Sequence, residues 1–237
     1  MKTQTLKTSP QVYARAAGLL YLSVIVAGIV AQMFISDRFV VLSDAAATAT
    51  NILTQPSVFQ LGFTFYLIEM SSQIAMTGLM YLLLKPVSRS LALLALSFEL
   101  AGCIIKTLGR LFYIAPLLVL VDNQSLSVFN VEQLQALALL LLKVNDQAAG
   151  MALAFFGFST FLNGYLIFKS GFLPRFLGVI SMVGGLGWLT FLYPSLGYQV
   201  APYILLVGIV GGLSQILWLL IKGVNVEQWQ QRALEAA

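Results

Sequence analysis

The stretch Ser90–Val121, SLALLALSFELAGCIIKTLGRLFYIAPLLVLV, is long and apolar enough to cross a bilayer, yet it contains Glu99, Lys106 and Arg110. At about 100° per residue, Lys106 falls about 20° to one side of Glu99 around a helix, and Arg110 about 20° to the other. Cys103, the sole cysteine of the chain, lies about 40° off the same line. Three charges and a thiol therefore share one narrow stripe on an otherwise oily helix. Each charge at the bilayer centre costs roughly 2.5–3.5 kcal/mol, so the stripe must face protein or water rather than lipid.

The rest of the chain agrees with a membrane setting. Of 237 residues, 59% are hydrophobic and 9% charged, where soluble domains carry about 25% charged residues. One cysteine cannot form an internal disulfide. The absence of histidine excludes the usual His/Cys zinc sites, axial-histidine haem and Ser–His–Asp triads. Acid–base work would fall to Glu, Asp, Lys, Tyr or Cys. No basic aromatic patch of the nucleic-acid kind occurs, so no nucleic-acid partner is expected.

The apolar runs predict an all-α membrane protein, a bundle of six transmembrane helices forming a single domain over 1–237. The spans fall at about 16–35, 61–84, 90–121, 147–168, 176–193 and 202–221, with 223–237 as a cytoplasmic tail. The first is longer than the roughly 7–15 apolar residues of a signal peptide, so it reads as an uncleaved span. Ser43-Asp44 ahead of Ala45–Leu53 predicts an N-capped short helix on the outer side, ended by Pro56. Pro116 predicts a kink near the outer end of the third span. Val131–Val144 predicts a helix at the interface leading into the fourth span. Val226, Trp229, Ala233 and Leu234 fall on one side, which fits a short interfacial helix in the tail; a frayed polar tail is the alternative. Gly184, Gly185, Gly187, Gly208 and Gly212 supply small residues for close helix approach.

Topology follows from the basic residues. With the amino terminus inside, Lys2, Lys7, Arg15, Lys85, Arg89, Lys169, Arg175, Lys222 and Arg232 are cytoplasmic, nine of the 13 in the chain. Only Arg38 and Lys143 fall outside. This bias predicts both termini in the cytoplasm.

Spans two and three join through the tight turn Lys85-Pro86-Val87-Ser88-Arg89. Counted from that turn at about 1.5 Å per residue, Glu69 and Lys106 reach nearly the same depth, which predicts an ion pair. Gln73 lies one turn below Glu69. Glu99 is deeper and needs a partner from another helix, or else it is protonated. Arg110 is nearer the outer face, with Asp146 as its expected partner and Tyr66 and Tyr113 as nearby hydroxyls. The polar centre is thus Glu69, Gln73, Glu99, Lys106, Arg110 and Asp146. Asn163 and Gln215 read as interhelical hydrogen bonds, and Cys103 as a small packing residue. Carboxylates interleaved with cations would repel a divalent ion, so no metal and no cofactor are expected.

Several segments carry a resemblance. They are Arg15–Leu22 (RAAGLLYL), Thr50-Asn51-Ile52, Lys85-Pro86-Val87, Phe155-Phe156-Gly157, and Gly164–Arg175 (GYLIFKSGFLPR) followed by Gly178. Together they resemble an uncharacterised prokaryotic family of six-span integral membrane proteins, domain of unknown function 4386. The resemblance covers nearly the whole chain. It implies a six-helix bundle in the inner membrane and supplies no activity or catalytic residue.

Three functions fit this pattern. The first is a non-enzymatic membrane protein that binds or transports a small anionic or lipid-like ligand in the polar centre. The second is an intramembrane enzyme using Glu69 or Glu99 as general base beside Lys106 and Arg110. The third is a scaffold or partner subunit in which the buried charges only fix helix register.

Overall fold

Apolar runs bounded by proline, glycine and basic turns become long helices. The computed structural model describes residues 9–121 and 126–236. Lys2 and Lys7, residues 122–125 of the expected polar loop and Ala237 lie outside the described residues.

Helix α1 (Pro10–Ile29) continues through a π-helical segment, Val30–Ser36, into the short α2 (Asp37–Phe39). Helix α3 (Ala45–Thr54) is the expected short helix, and Asp44 caps it by accepting from the Ala47 amide at 2.9 Å. Then come α4 (Pro56–Leu84), α5 (Arg89–Val121) and α6 (Val131–Ser170). Helix α7 (Arg175–Leu189) ends in a 3₁₀ turn, Thr190–Leu192, and α8 (Pro194–Ile221) and α9 (Val226–Glu235) complete the chain.

Six of these segments are long and apolar enough to cross a membrane: Pro10–Phe39, Pro56–Leu84, Arg89–Val121, Val131–Ser170, Arg175–Leu192 and Pro194–Ile221. The six-span bundle expected from the sequence is therefore present. Its helices exceed the predicted spans at several ends. The expected interfacial helix at Val131–Val144 and the fourth span form one unbroken 40-residue helix. Pro116 sits inside α5 without ending it.

The described residues divide into two compact units, and the divisions fall within helices. The first unit holds 9–22, 73–101 and 153–236. Its core gathers Met80, Leu83, Leu84, Leu166, Ile167, Leu177 and Leu219. Glycines let α6 and α7 approach to backbone contact. A Cβ on Gly178 would stand 2.6 Å from the Gly164 carbonyl oxygen, and one on Gly185 would stand 2.6 Å from the Phe161 amide nitrogen. Gly187 packs on Ile204 and Gly208 on Trp188, joining α7 to α8. Gly171 follows α6 at φ +77° and Gly223 follows α8 at φ +68°, the left-handed conformation that closes helices at little cost to glycine. At Gly223 the side chain of Gln11 donates to the Lys222 carbonyl and accepts from the Val224 amide, both at 3.0 Å. That ties the start of α1 to the end of α8.

Helix α9 belongs to the same unit. The Trp229 indole N–H donates to the Leu83 carbonyl at 2.8 Å. Val226, Trp229 and Ala233 are half-buried, whereas Leu234 is 80% exposed. Leu234 departs from the expected apolar side because it stands about 100° around the helix from Ala233.

The second unit holds 23–72 and 102–152 of the described residues. Its core is aromatic. Phe59 stacks on Tyr113 with centroids 4.4 Å apart, and Tyr66 meets Tyr113 edge-on at 5.1 Å. Ala31, Ile35, Phe39, Ile52 and Leu142 complete it.

Candidate functional site

The six expected polar-centre residues distribute over both units. Gln73 and Glu99 belong to the first; Glu69, Lys106, Arg110 and Asp146 belong to the second.

In the first unit, Glu99 on α5 is 5% exposed, and the Gln73 amide on α4 donates to its Oε1. Both line a cavity of about 80 Å³. Its other polar walls come from Tyr21, Thr77, Thr160, Asn163, Ser181 and Gln215, on α1, α4, α6, α7 and α8. Glu99 is the one Asp, Glu, Lys or Arg among the lining residues. Thr77 is 5% exposed, and its hydroxyl has no hydrogen-bond partner among the described residues. Asn163 donates to Ser159 on its own helix at 3.3 Å rather than across helices.

In the second unit, Lys106 Nζ lies 2.6 Å from Glu69 Oε1, forming the ion pair that the turn-and-depth count predicts. Gly28 brings α1 against this carboxylate, since a Cβ there would stand 3.2 Å from Oε1. Arg110 is 3% exposed. Its Nη1 donates to Asn145 Oδ1 at 2.9 Å, and its guanidinium carbon stands 3.4 Å from the centre of the Tyr66 ring. The Asn145 amide donates to Asp146 Oδ1 at 3.1 Å. The Tyr66 hydroxyl donates to Gln32 Oε1 at 2.7 Å, and the Gln32 amide donates to Asp37 Oδ1 at 2.7 Å. A chain of contacts thus runs from Asp146 through Asn145, Arg110, Tyr66 and Gln32 to Asp37. A smaller cavity of about 60 Å³ touches its two ends, lined by Gln32, Asp37, Asn145 and Asp146 among others.

Two details add to the sequence reading. Arg110 bonds to Asn145, the residue beside the expected partner Asp146, and Asn145 in turn donates to Asp146. Tyr66 offers Arg110 its ring face instead of its hydroxyl. The Tyr113 hydroxyl goes to the Phe59 carbonyl at 3.3 Å, and Cys103 is fully buried. Sequence reasoning missed Tyr21, Thr77, Thr160 and Ser181, since hydroxyls scattered through apolar spans carry no periodic signal. It also missed Gln32, which the π-helical turns place beside Asp37 five residues on. No group of three or more His, Cys, Asp or Glu side chains able to hold a metal occurs among the described residues.

Six apolar helices with amide, hydroxyl and ionisable side chains turned onto one another define a multi-pass membrane protein. More narrowly, the chain belongs to the family described as Domain of unknown function (DUF4386), whose model matches residues 16–223. It is similar to an uncharacterized protein of Archaeoglobus fulgidus, at 24% identity over 177 residues, covering 73% of this chain and 90% of that one. No solved structure matches the chain.

Proposed function

We propose that this membrane protein binds a small monovalent cation or protonated amine in the cavity beside Glu99. The carrying observation is the lining: one carboxylate, ringed by amides and hydroxyls, with no Lys or Arg among the lining residues. A buried ionisable group within a span is costly and marks a functional site by default. The volume, about 80 Å³, has room for several waters or one small polar ligand. Thr77 also lines this space, and its buried hydroxyl has no hydrogen-bond partner among the described residues.

The sign of the ligand follows from where the cations are committed. Lys106 is paired with Glu69, and Arg110 is held by Asn145 and Tyr66. Neither lines the cavity beside Glu99, so a cation suits that cavity better than the anionic ligand suggested by the sequence. The same commitments favour a structural role for the second unit's charges over a general acid–base role. The whole chain serves as one membrane domain in this reading. Both termini lie in the cytoplasm, in keeping with nine of the 13 basic residues falling on that side by sequence position.

Thermal unfolding of the purified protein in detergent tests the reading. Sodium, potassium, ammonium and a small primary amine are titrated in turn against the wild type and Glu99→Gln. A ligand that binds only the folded state raises Tm with concentration. At least one of these cations should do so for the wild type and not for the variant. Equal responses from the two proteins, or none from either, would remove the proposal.

A further inference from the structure

A second concave site lies at the turn between α4 and α5. Helix α9 folds beside this turn, and Trp229 anchors it by donating to the Leu83 carbonyl at 2.8 Å. Between them is a crevice of about 450 Å³. Its charged walls are Lys85, which is half-buried, and Arg89, which is exposed. Neither has an ion-pair partner among the described residues. Its apolar walls include Val87, Ala233 and the Trp229 ring, and Ser88 adds a hydroxyl.

The position in the chain decides what meets this crevice. Helix α4 ends at Leu84 and α5 begins at Arg89, both long and apolar enough to cross a membrane, so the basic turn lies at the shared end of two spans. Lipid phosphates occupy that level. Basic pockets of this kind, rimmed by an interfacial tryptophan, suit anionic headgroups. Arginine forms forked hydrogen bonds to phosphate oxygens, and lysine adds a point charge. A free anion in water would gain little from the apolar side of the crevice, whereas a lipid brings glycerol and acyl carbons to cover it.

From these features we propose that the crevice formed by the Lys85–Arg89 turn and α9 is a binding site for the headgroup of an anionic phospholipid. It is independent of the cavity beside Glu99 and stands whether or not that cavity binds a cation.

Native mass spectrometry of the full chain in detergent tests this, with phosphatidylglycerol and phosphatidylcholine as probes. The wild type should retain one phosphatidylglycerol per chain in preference to phosphatidylcholine. Lys85→Gln combined with Arg89→Gln should weaken that retention by about 30-fold. Ala233→Trp, which fills the crevice and leaves every charge in place, should weaken it as well. Lys169→Gln combined with Arg175→Gln removes an equal charge from the other basic turn and should leave retention within about twofold if the site is local. Equal losses from both charge pairs would show nonspecific attraction and overturn the proposal. So would retention that survives Ala233→Trp, or displacement of the lipid by excess inorganic phosphate, which would mark a free-anion site.

Discussion

Lys106 Nζ and Glu69 Oε1 stand 2.6 Å apart, with side chains only 15% and 9% exposed. The pair joins α4 to α5 inside a span, where removing one partner leaves the other charge uncompensated. Breaking a buried pair from one side costs about 3–5 kcal/mol, while replacing both partners by apolar or neutral groups is often nearly neutral. Lys106→Met alone should therefore lower stability in detergent more than Glu69→Gln with Lys106→Met together. Unfolding curves for the two singles and the double give the coupling directly; additive losses would contradict a functioning ion pair.

The Arg110–Tyr66 contact separates ring from hydroxyl. Tyr66→Phe keeps the face under the guanidinium and loses the hydroxyl with its bond to Gln32, a loss of about 1 kcal/mol. Tyr66→Leu removes the cation–π contact and leaves a void, for a loss of about 3–5 kcal/mol. Thermal unfolding that ranks the two variants the other way would refute this assignment.

The glycine seam between α6 and α7 allows a graded comparison. Gly178→Ala and Gly185→Ala place a methyl 2.6 Å from backbone atoms of α6, which cannot yield as a flexible side chain can. Each should cost about 1–3 kcal/mol or more. Gly78→Ala on α4 meets nothing within 4 Å and should be neutral or stabilising by up to about 1 kcal/mol through helix propensity. Expression yield and unfolding temperature of the three variants check the order.

Trp229 holds α9 through one hydrogen bond and its ring. Trp229→Phe should cost about 1 kcal/mol locally and raise amide exchange across Val226–Glu235, leaving exchange in α4 unchanged. Hydrogen exchange read by mass spectrometry distinguishes this from a global loss of stability.

These residues also show what a sequence can and cannot carry. The six spans are legible because apolar length alone selects them. The Glu69–Lys106 pair is legible because a tight turn sets both depths by counting. Asn145 and the Gln73–Glu99 bond are harder. Depth is additive along the chain, but the rotation of one helix about its axis relative to another depends on packing that no single segment encodes. The hydroxyl walls of the Glu99 cavity come from four helices, α1, α4, α6 and α7, and no local pattern marks them.

The π-helical turns at Val30–Ser36 give the first span a spare residue. A π segment behaves as an α-helix with one residue inserted. Deleting one residue there returns the segment to α geometry, and the flanking turns keep their facing. The same deletion in the regular part of α1 has no slack to consume and rotates everything beyond it by about 100°. Chains shortened by one residue in the first span are therefore tolerated at this place above others, at the expense of the Gln32–Asp37 contact.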